Sequence, residues 1–273
     1  MDDIRLLAGL ERLALSVGPL VMRAFTEGCA VDRKADDSPV THADRESERL
    51  ILAGLRGLCP TTPVVAEESV AAGNFPADPG STFFLVDPLD GTREFIAGRP
   101  EFTVNIGLVR AGAPVLGVVY APAASVLYAG RPGQAERVTV DAQGGAVSRQ
   151  VISARPRTAH VSVVASRSHR VLETDRYIAT LQQAEIVAVG SSLKFGLLAA
   201  GEADLYPRFG RTMQWDTAAG DAVLRLFAEV LTASLRAAGG ITETLDGRPL
   251  AYGPRGSDPA RLYENPAFVA RGL

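Results

Sequence analysis

Two carboxylates stand three residues apart in the segment Asp87-Pro88-Leu89-Asp90-Gly91-Thr92, which directly follows the apolar run 82–86. An apolar run of this kind predicts a buried strand, which would deliver Asp87 from a rigid element. Pro88 lacks a backbone N–H, so we expect the strand ladder to stop there, while Gly91 lets the chain turn closely beneath a bound group. Clustered carboxylate oxygens suit Mg²⁺, which takes phosphate oxygens of a substrate as further ligands. The segment therefore predicts metal-assisted chemistry on a phosphate ester.

The same segment is also compatible with plain turn chemistry or with a covalent phosphatase. Asp-Pro and Asp-Gly are common turn dipeptides, and a strand followed by a turn requires no metal. The haloacid dehalogenases also place an Asp-x-Asp-Gly-Thr segment after an apolar strand, with the first Asp as a covalent nucleophile. In this chain Pro88 occupies the position of that nucleophile, two residues before Asp90. The segment therefore disfavours a phospho-aspartate intermediate.

The composition is typical of a soluble protein: of 273 residues, 47% are hydrophobic and 22% are charged. The net charge of −3 provides no basic field that would attract nucleic acid. No apolar run approaches the ~18 residues that span a bilayer, and the acidic N-terminus does not resemble a signal peptide. Cys29 and Cys59 lack the spacing of a metal or redox site, so we predict reduced thiols. We therefore predict a cytoplasmic protein without an integral membrane segment, and leave its peripheral attachment to the inner membrane open.

Hydrophobic spacing changes in character along the chain. Residues 4–26 carry apolar side chains at helical intervals, and a second helix opens after Thr41, a predicted N-cap. From about 63 to 130 the pattern is that of successive strands separated by turns. From 161 to 226 strands and helices alternate, which predicts a mixed sheet covered by helices. The expected fold class is α/β, with mixed and antiparallel sheets between helix layers.

The polar, Gly-containing stretch 130–150 separates these two regions of the chain. We interpret it as a peripheral hairpin at a domain junction. This interpretation predicts an N-terminal α+β domain over residues 1–150 that carries most of the acids, and a C-terminal α/β domain over 151–273. The last 25 residues contain two Pro-containing turn signals and are expected to form a tail on the surface.

Four further acids could belong to the same site as Asp87 and Asp90. Glu67 and Glu68 end the short strand 64–66, which we expect to lie next to the strand that delivers Asp87. Asp44 stands in the first turn of a predicted helix, where an acid is either a cap or a base. Asp216 opens another helix, whose N-terminus would partly offset its charge. Taken singly, an Asp in a first helical turn is most often only a cap.

Four segments, in this order, resemble the inositol monophosphatase superfamily of Mg²⁺-dependent, lithium-sensitive phosphatases: Ser38-Pro39-Val40-Thr41-His42-Ala43-Asp44, Ala66-Glu67-Glu68-Ser69, Val86-Asp87-Pro88-Leu89-Asp90-Gly91-Thr92 and Trp215-Asp216-Thr217-Ala218-Ala219-Gly220. The resemblance extends over most of the chain, and the four segments are jointly specific. It implies a layered α-β-α-β-α fold of the sugar-phosphatase type.

The resemblance also implies roles for individual residues. Glu67, Asp87 and the Leu89 carbonyl would hold one Mg²⁺, and Asp87, Asp90 and Asp216 a second. The family uses two or three such ions, and a pair of ions can clamp both the attacking and the leaving oxygen of an in-line displacement. Glu67, Asp44 and Thr92 are the implied catalytic residues, with Thr92 hydrogen-bonded to Asp44 and orienting the attacking water. Without cations the clustered acids would repel one another, so we expect some of them to be protonated.

Substrate preference is expected to come from the second half of the chain. Inositol phosphatases of the superfamily carry an acid in a Tyr-x-Glu-Phe-Gly segment, whereas this chain reads Tyr206-Pro207-Arg208-Phe209-Gly210. An Arg at that position favours a second anionic group on the substrate, since a guanidinium can bind phosphate bidentately. The candidate substrate contacts are Gly91, Thr92, Arg167, Ser191, Ser192, Lys194, Tyr206 and Arg208. Taken singly, Arg167 or Lys194 could be a solvated surface charge, and Tyr206 a core residue.

The segments 90–95, 101–105, 166–169, 190–195 and 206–210 are most similar to those of the bacterial 3′(2′),5′-bisphosphate nucleotidases of sulfate assimilation. That similarity implies hydrolysis of the 3′-phosphate of adenosine 3′,5′-bisphosphate to give AMP, with 3′-phosphoadenylyl sulfate as a further substrate. Two alternatives stay open: an inositol-phosphate or sugar-phosphate phosphatase with the same metal chemistry, and a non-catalytic nucleotide sensor. The expected partner is a small nucleotide bisphosphate, and the chain would act as a monomer or homodimer.

Overall fold

The structure is a computed structural model that describes residues 2–34, 37–76, 78–156, 159–225, 239–258 and 260–272. Its helices are α1 (Asp3–Glu27), α2 (His42–Leu58), α3 (Glu67–Ala71), α4 (Thr92–Ile96), α5 (Leu172–Ala179), α6 (Leu193–Ala199) and α7 (Ala218–Leu224). Its strands are β1 (Val31–Arg33), β2 (Pro39–Thr41), β3 (Val64–Ala66), β4 (Thr82–Asp90), β5 (Thr103–Arg110), β6 (Ala113–Ala121), β7 (Val126–Arg131), β8 (Gln134–Val140), β9 (Ala146–Ile152), β10 (Val161–Ser166), β11 (Ala184–Val189), β12 (Leu205–Arg208), β13 (Ile241–Thr244) and β14 (Phe268–Arg271).

The first half of the chain forms a sheet of seven strands in the order β3-β4-β5-β6-β7-β8-β9. Strands β3 and β4 are parallel and their C-terminal ends lie together, because Ala66 pairs with Val86. The remaining pairs are antiparallel. The hairpin of β8 and β9 lies at the edge of the sheet, as predicted for the stretch 130–150.

Helices α1 and α2 cover one face of this sheet. The predicted amphipathic helix is confirmed as α1, which buries Leu6, Leu10, Val17 and Val21 against the sheet and α2. Helix α2 begins after Thr41, as predicted, with its hydroxyl accepting a hydrogen bond from the Ala43 N–H. Burying each of these aliphatic side chains contributes about 1.5–3 kcal/mol.

Helix α7 lies against the opposite face of the sheet along a track of three glycines. Gly107, Gly117 and Gly130 occupy neighbouring positions in β5, β6 and β7, because each pairs with the next. A Cβ atom on Gly117 would lie 2.1 Å from the carbonyl oxygen of Ala219, so α7 approaches the strand backbones directly. The track therefore sets the position of α7, and with it that of Asp216 immediately before the helix.

The second half of the chain forms a five-stranded mixed sheet in the order β11-β10-β12-β14-β13. Helix α6 packs between the two sheets, since Phe195 contacts Tyr206 of β12 and Phe268 of β14, while Gly196 abuts Tyr128 of β7. Helix α5 covers the outer face of the five-stranded sheet through β12. The resulting α-β-α-β-α layering confirms the predicted fold class.

Two structural expectations were wrong. The ladder of β4 does not stop at Pro88: the register shifts between Asp87 and Asp90, and pairing resumes between Asp90 and Thr103. A bulge lets the strand accommodate a residue that cannot donate to the ladder. The last 25 residues are not a surface tail, because they contribute β14, which lies inside the five-stranded sheet with Phe268 fully buried.

Two further predictions concern domains and membranes. The division into domains 1–150 and 151–273 stays a prediction. The region of alternating strands and helices was predicted to end at residue 226, which lies outside the described residues. Its last described helix, α7, ends at Leu224. Among the residues that the structure describes, none of the helices combines the length and apolar character that a bilayer crossing requires.

Candidate active site

Three carboxylates from three parts of the chain meet at one point. Ligand oxygens of Glu67, Asp87 and Asp216 all lie within 4.8 Å of one another. Glu67 follows β3, Asp87 lies on the adjacent strand β4, and Asp216 ends the 3₁₀ turn before α7. The parallel pairing of β3 and β4 brings the first two together, and the glycine track brings the third. Such a set of oxygen donors fits a hard divalent cation.

The bulge in β4 shapes the segment after Asp87. The Leu89 N–H donates a hydrogen bond to Asp87 Oδ1 at 3.0 Å, which fixes the carboxylate against its own backbone. Gly91 has a φ of 92°, in the left-handed region that glycine adopts without strain. A Cβ atom there would lie 2.9 Å from the Glu101 carbonyl oxygen, so the turn and the following loop are in contact. The predicted close turn at Gly91 is confirmed.

Asp90 is held by groups from both halves of the chain. The Ser192 hydroxyl lies 2.6 Å from Asp90 Oδ2 and 2.6 Å from the Asp216 carbonyl oxygen. Asn105 Nδ2 donates to Ser192 Oγ at 2.8 Å and approaches Asp90 Oδ2 at 3.4 Å. Ser192 is buried and so links two acids of the site from beneath.

Asp216 is fixed by the segment that precedes it. Its Oδ2 accepts hydrogen bonds from Thr212 Oγ1 at 2.7 Å and from the Met213 N–H at 2.8 Å. Among the described residues, no hydrogen-bond donor binds the other oxygen of this carboxylate, Oδ1. Asn265 in turn holds Met213, because its Nδ2 donates to the Met213 carbonyl at 2.8 Å. The acid is thus positioned by hydrogen bonds as well as by α7.

Burial and mutual repulsion shift the pKa values of these acids upward. Burial, and then the charges of Glu67, Asp90 and Asp216, raise the pKa of Asp87 well above its usual value. Burial and the charge of Asp90 raise the pKa of Asp216 to about 7. The pKa of Asp90 is also raised by burial, although Ser192 and Lys194 oppose the shift. Without a cation the fold therefore favours protonated carboxyls, as expected from clustered acids.

Asp44 both caps α2 and reaches toward the acids. Its Oδ2 accepts hydrogen bonds from the Thr41 N–H at 2.8 Å and the Thr41 hydroxyl at 2.5 Å, the geometry of a capping box. Its Oδ1 lies 3.0 Å from Thr92 Oγ1, at the start of α4. The Thr92 hydroxyl also lies 3.2 Å from the Leu89 carbonyl oxygen. Burial raises the pKa of Asp44, so the cap and the site share one carboxyl with an increased affinity for a proton.

Lys34 supplies a cation that no sequence pattern indicated. Its ammonium lies 2.5 Å from Glu67 Oε1 and 2.6 Å from Glu68 Oε1, and its side chain is largely buried. Burial and the charge of Glu67 raise the pKa of Glu68 to about 7. Glu48 accepts hydrogen bonds from the Glu68 N–H at 2.7 Å and the Ser69 hydroxyl at 2.6 Å, which holds the start of α3.

Lys194 and the strand-to-helix turn before it lie beside the acids. The Lys194 ammonium is buried and donates to the carbonyls of Val189 at 3.2 Å and Ser191 at 2.5 Å. It also lies 5.0 Å from the ring centre of Tyr206. Burial lowers the pKa of Lys194 to about 8, although the charge of Asp90 opposes the shift. Ser191 takes a φ of 50°, an uncommon value for a residue with a side chain.

The other predicted substrate contacts differ in how far protein groups already engage them. Arg208 is buried, and its Nη2 donates to the Arg211 carbonyl at 2.5 Å, while its Nε has no hydrogen-bond partner among the described residues. Arg167 is exposed and forms a bidentate pair with Glu101 at 3.0 and 2.7 Å. Tyr206 is packed edge-on against Phe195 and is only 5% exposed. These assignments stay predictions.

Three residues of the site were missed by sequence reasoning. Asn105 carried a signal, because an amide inside the apolar strand 103–109 must find buried hydrogen-bond partners. Thr212 carried a weaker one, since a hydroxyl four residues before Asp216 can bond to it only if the chain turns. Lys34 carried none: its ammonium reaches the acids from a loop, and its contacts depend on tertiary structure alone.

Comparisons with known proteins identify the family of this chain. A sequence model of the inositol monophosphatase family matches residues 3–270. The 3′(2′),5′-bisphosphate nucleotidase CysQ of Escherichia coli strain K12 is 42% identical over 259 residues, which cover 94% of this chain and 96% of the relative. The CysQ protein of Buchnera aphidicola is 37% identical over 91% of this chain and 88% of its own.

A comparison with a solved structure supports the same family. The crystal structure of CysQ from Bacteroides thetaiotaomicron, described as a bacterial member of the inositol monophosphatase family, superposes with a TM-score of 0.72. It is 33% identical in sequence, and the match covers 95% of this chain and 94% of that one. The likeness therefore holds over almost the full length of both proteins.

Proposed function

Because this chain belongs to the inositol monophosphatase family, we propose that it hydrolyses the 3′-phosphate of adenosine 3′,5′-bisphosphate to give AMP and inorganic phosphate. The meeting of Glu67, Asp87 and Asp216 is the observation that carries the chemistry, since three carboxylates at one point, with Asp87 buried and the other two partly buried, favour a bound cation. The 42% identity to a 3′(2′),5′-bisphosphate nucleotidase supports the choice of substrate.

The donor set fits Mg²⁺. All three clustered groups offer hard oxygen ligands, and the pKa values of Asp87 and Asp216 are raised by burial and then by the neighbouring negative charges, which a divalent cation would offset. As the family resemblance implies, Glu67, Asp87 and the Leu89 carbonyl would hold one ion, and Asp87, Asp90 and Asp216 a second. When bound, the metal supplies positive charge for the phosphoryl group and lowers the pKa of water at the site.

The Thr92 and Asp44 pair would orient the attacking water. Thr92 Oγ1 donates to Asp44 Oδ1, which leaves the lone pairs of the hydroxyl to accept a hydrogen bond from water. The buried Asp44 carboxyl has a raised pKa and can accept the proton that Thr92 passes on. Water then attacks phosphorus in line, and the bond between phosphorus and the 3′-oxygen breaks with its electron pair leaving on that oxygen. The 3′-oxygen takes up a proton from solvent to give the 3′-hydroxyl of AMP, and Asp44 returns its proton to solvent. The reaction consumes one water molecule, and no covalent intermediate is formed on the protein.

Arg208 would bind the second phosphate of the substrate. Its Nε is buried without a hydrogen-bond partner among the described residues, and an unmet buried donor is costly unless a ligand satisfies it. The Nη2 group is anchored by the Arg211 carbonyl, so the guanidinium is already oriented. Lys194 adds positive charge beneath the turn 190–192, although its ammonium is occupied by two carbonyls. Its contribution is therefore to hold this turn in shape and to offset the charge of Asp90.

A test of this function is the release of phosphate from adenosine 3′,5′-bisphosphate by protein treated with a chelator and then titrated with Mg²⁺. We expect no release before Mg²⁺ is added, full activity afterwards, and AMP carrying the 5′-phosphate as the nucleotide product. The variant Asp246→Asn, which removes an exposed carboxylate paired with Arg248, serves as a control and should respond to Mg²⁺ like the wild type. The proposal would be contradicted if the chelator-treated protein released phosphate before Mg²⁺ was added, or if the nucleotide product carried a 3′-phosphate.

A further inference from the structure

A second cleft opens on the C-terminal part of the chain. It has a volume of about 580 Å³ and lies between the segment 209–211 and residues of the stretch 255–267. A volume of this size is within the usual range of small-molecule sites. Glu67, Asp87, Asp90, Asp216, Lys194 and Arg208 are not among its lining residues. We call it the arginine cleft, after Arg211, Arg255 and Arg261.

The charges that line the arginine cleft are mostly positive. Three guanidinium groups and one carboxylate, that of Glu264, are among the lining side chains of the cleft. Arg261 forms a bidentate pair with Glu264 at 3.0 Å for both contacts. Arg211 Nε also approaches Glu264, at 3.4 Å. One acid is thus shared between two arginines.

Arg255 has no such counter-charge. It is partly buried, and its guanidinium donates to the carbonyl of Ala251. Among the described residues no carboxylate pairs with it. Burial lowers the pKa of Arg255, which reports the cost of holding this charge away from water. A partly buried cation without an anion is costly, and a bound anion would offset that cost.

The lining also includes polar and apolar groups suited to an organic ligand. Asn265 is 7% exposed, and its Oδ1 is buried without a hydrogen-bond partner among the described residues. Phe209 and Pro266 add apolar surface to the same cleft. The cleft therefore combines positive charge with the Asn265 side chain and an apolar wall, which is more than a bare inorganic ion requires.

We propose that the arginine cleft binds the phosphate or sulfate group of a small organic anion, at a site separate from the carboxylate cluster. Arg255 would be the main contact, because guanidinium binds tetrahedral oxyanions bidentately. The anion could reach the cleft as a free molecule or as the remote sulfate of 3′-phosphoadenylyl sulfate bound at the carboxylate site, with the 5′-phosphate of that nucleotide on Arg208. The first source is independent of the proposed function, whereas the second rests on it.

The cleft is also connected to the acids. Asn265 Nδ2 donates to the Met213 carbonyl and to Thr217 Oγ1, at 2.8 and 3.0 Å. The Met213 N–H donates in turn to Asp216. A ligand that shifts Asn265 would therefore act on the segment that holds Asp216.

The test is a calorimetric titration of the full chain, in the presence of a chelator, with inorganic sulfate at constant ionic strength set by chloride. We expect saturable binding to the wild type and binding at least about tenfold weaker for Arg255→Gln, the effect of losing one charged hydrogen-bonding partner. Arg248→Gln is the matched control, because Arg248 is an exposed arginine paired with Asp246. Its sulfate affinity should equal that of the wild type.

Three results would overturn the proposal: no saturable sulfate binding by the wild type, equal affinity of the wild type and Arg255→Gln, or loss of binding only in Arg208→Gln, which would place the anion at the substrate site. Arg255→Lys keeps the charge and should retain part of the affinity. If Arg255→Gln does not fold, Arg261→Gln tests the same cleft.

A kinetic arm separates the two sources of the anion. If the anion is that remote sulfate, Arg255→Gln raises the KM for 3′-phosphoadenylyl sulfate by about tenfold with little change in kcat, and leaves the KM for adenosine 3′,5′-bisphosphate unchanged. If it is a free molecule, both constants match those of the wild type while sulfate binding is still lost. The calorimetric result stands even if the chain does not hydrolyse this nucleotide.

Discussion

The acids and the bases of the site are held in opposite ways. Glu67, Asp87 and Asp216 converge within 4.8 Å, and although Lys34 pairs with Glu67, burial and neighbouring negative charges raise the pKa values of Asp87 and Asp216. Lys194 and Arg167, in contrast, are engaged by protein groups: two carbonyls hold the ammonium, and Glu101 holds the guanidinium. A cation from outside the chain would therefore stabilise the ionised acids, whereas these bases already have partners in the protein.

This difference separates the reaction from its specificity. Neighbouring carboxylates repel one another, and a divalent cation bound between them would offset this repulsion. We therefore expect the metal chemistry to follow from the arrangement of the acids. Among the bases, only Arg208 combines burial with a donor that lacks a partner among the described residues. We therefore expect the acids to control kcat, and Arg208 alone of the three bases to have a large effect on substrate binding.

The largest effect is expected from Asp90→Asn, which removes one charge from the proposed metal site while keeping the shape of the side chain. Turnover should fall by about a thousandfold or more, since electrostatic stabilisation of the transition state is lost. Circular dichroism and thermal unfolding should show an intact fold. Near-normal turnover would remove Asp90 from the chemistry and weaken the contrast between acids and bases.

The next effect concerns the glycine track that brings Asp216 to the other acids. A side chain in Gly117→Val would collide with the Ala219 carbonyl of α7, which lies 2.1 Å from the position of a Cβ atom. We expect a loss of about 3 kcal/mol in the free energy of unfolding, measured by urea denaturation, because the clash is with backbone. Gly57→Ala in α2 is the control: a Cβ atom there meets nothing within 4 Å, and stability should be unchanged or slightly increased.

The third effect is a dependence of stability on pH in the absence of metal. The pKa of Asp216 is raised from 3.8 to about 7 in the folded chain, so its contribution to stability is fully present below pH 3.8 and is lost as the pH rises toward 7. The difference in Tm between the wild type and Asp216→Asn should therefore decrease over this range. Adding Mg²⁺ at pH 8 should stabilise the wild type, by about 2.7 kcal/mol at a hundred times its Kd. A difference in Tm that does not vary with pH would contradict the raised pKa.

A smaller effect is expected from Arg208→Gln. The KM for adenosine 3′,5′-bisphosphate should rise by about tenfold, because one charged hydrogen-bonding partner of the second phosphate is lost. The KM for a monophosphate such as inositol 1-phosphate should not rise, since that substrate has no second phosphate. An unchanged KM for the bisphosphate would refute the role of Arg208.

The smallest effect is expected from Arg167→Gln. Because Glu101 already occupies the exposed Arg167 guanidinium, we expect less than about a threefold change in KM and less than about 1 kcal/mol in stability. Arg137→Gln, which breaks the exposed pair with Glu202, is a control of the same kind. A tenfold rise in KM for Arg167→Gln alone would show that the pair with Glu101 opens for the substrate.

The positions of the acids could be predicted because they follow from local pattern. A short apolar run predicts a strand, and an acid at its end is delivered to the sheet edge, as found for Glu67 and Asp87. The path of the chain at Pro88 was not predictable, because a bulge and a strand end carry the same local signal. The same is true of β14, whose place inside a sheet depends on partners far away in the sequence.

The engagement of the bases could not be predicted either. A lysine in a strand-to-helix turn suggests a phosphate contact, but whether its ammonium points outward or back into the carbonyls depends on burial. Long, flexible side chains such as Lys34 and Arg167 find partners through tertiary contacts. Short carboxylates on or next to strands have little such freedom, which is why the clustering of the acids was the more predictable part.

The most direct test of the central claim is Mg²⁺-dependent phosphate release from adenosine 3′,5′-bisphosphate and inositol 1-phosphate, measured side by side with the same protein. We predict a preference of about a hundredfold in kcat/KM for the nucleotide, equivalent to about 2.7 kcal/mol of transition-state binding. A preference for inositol 1-phosphate would contradict the proposed specificity while keeping the metal chemistry. Absence of Mg²⁺-dependent release from both would contradict the proposed reaction on these substrates.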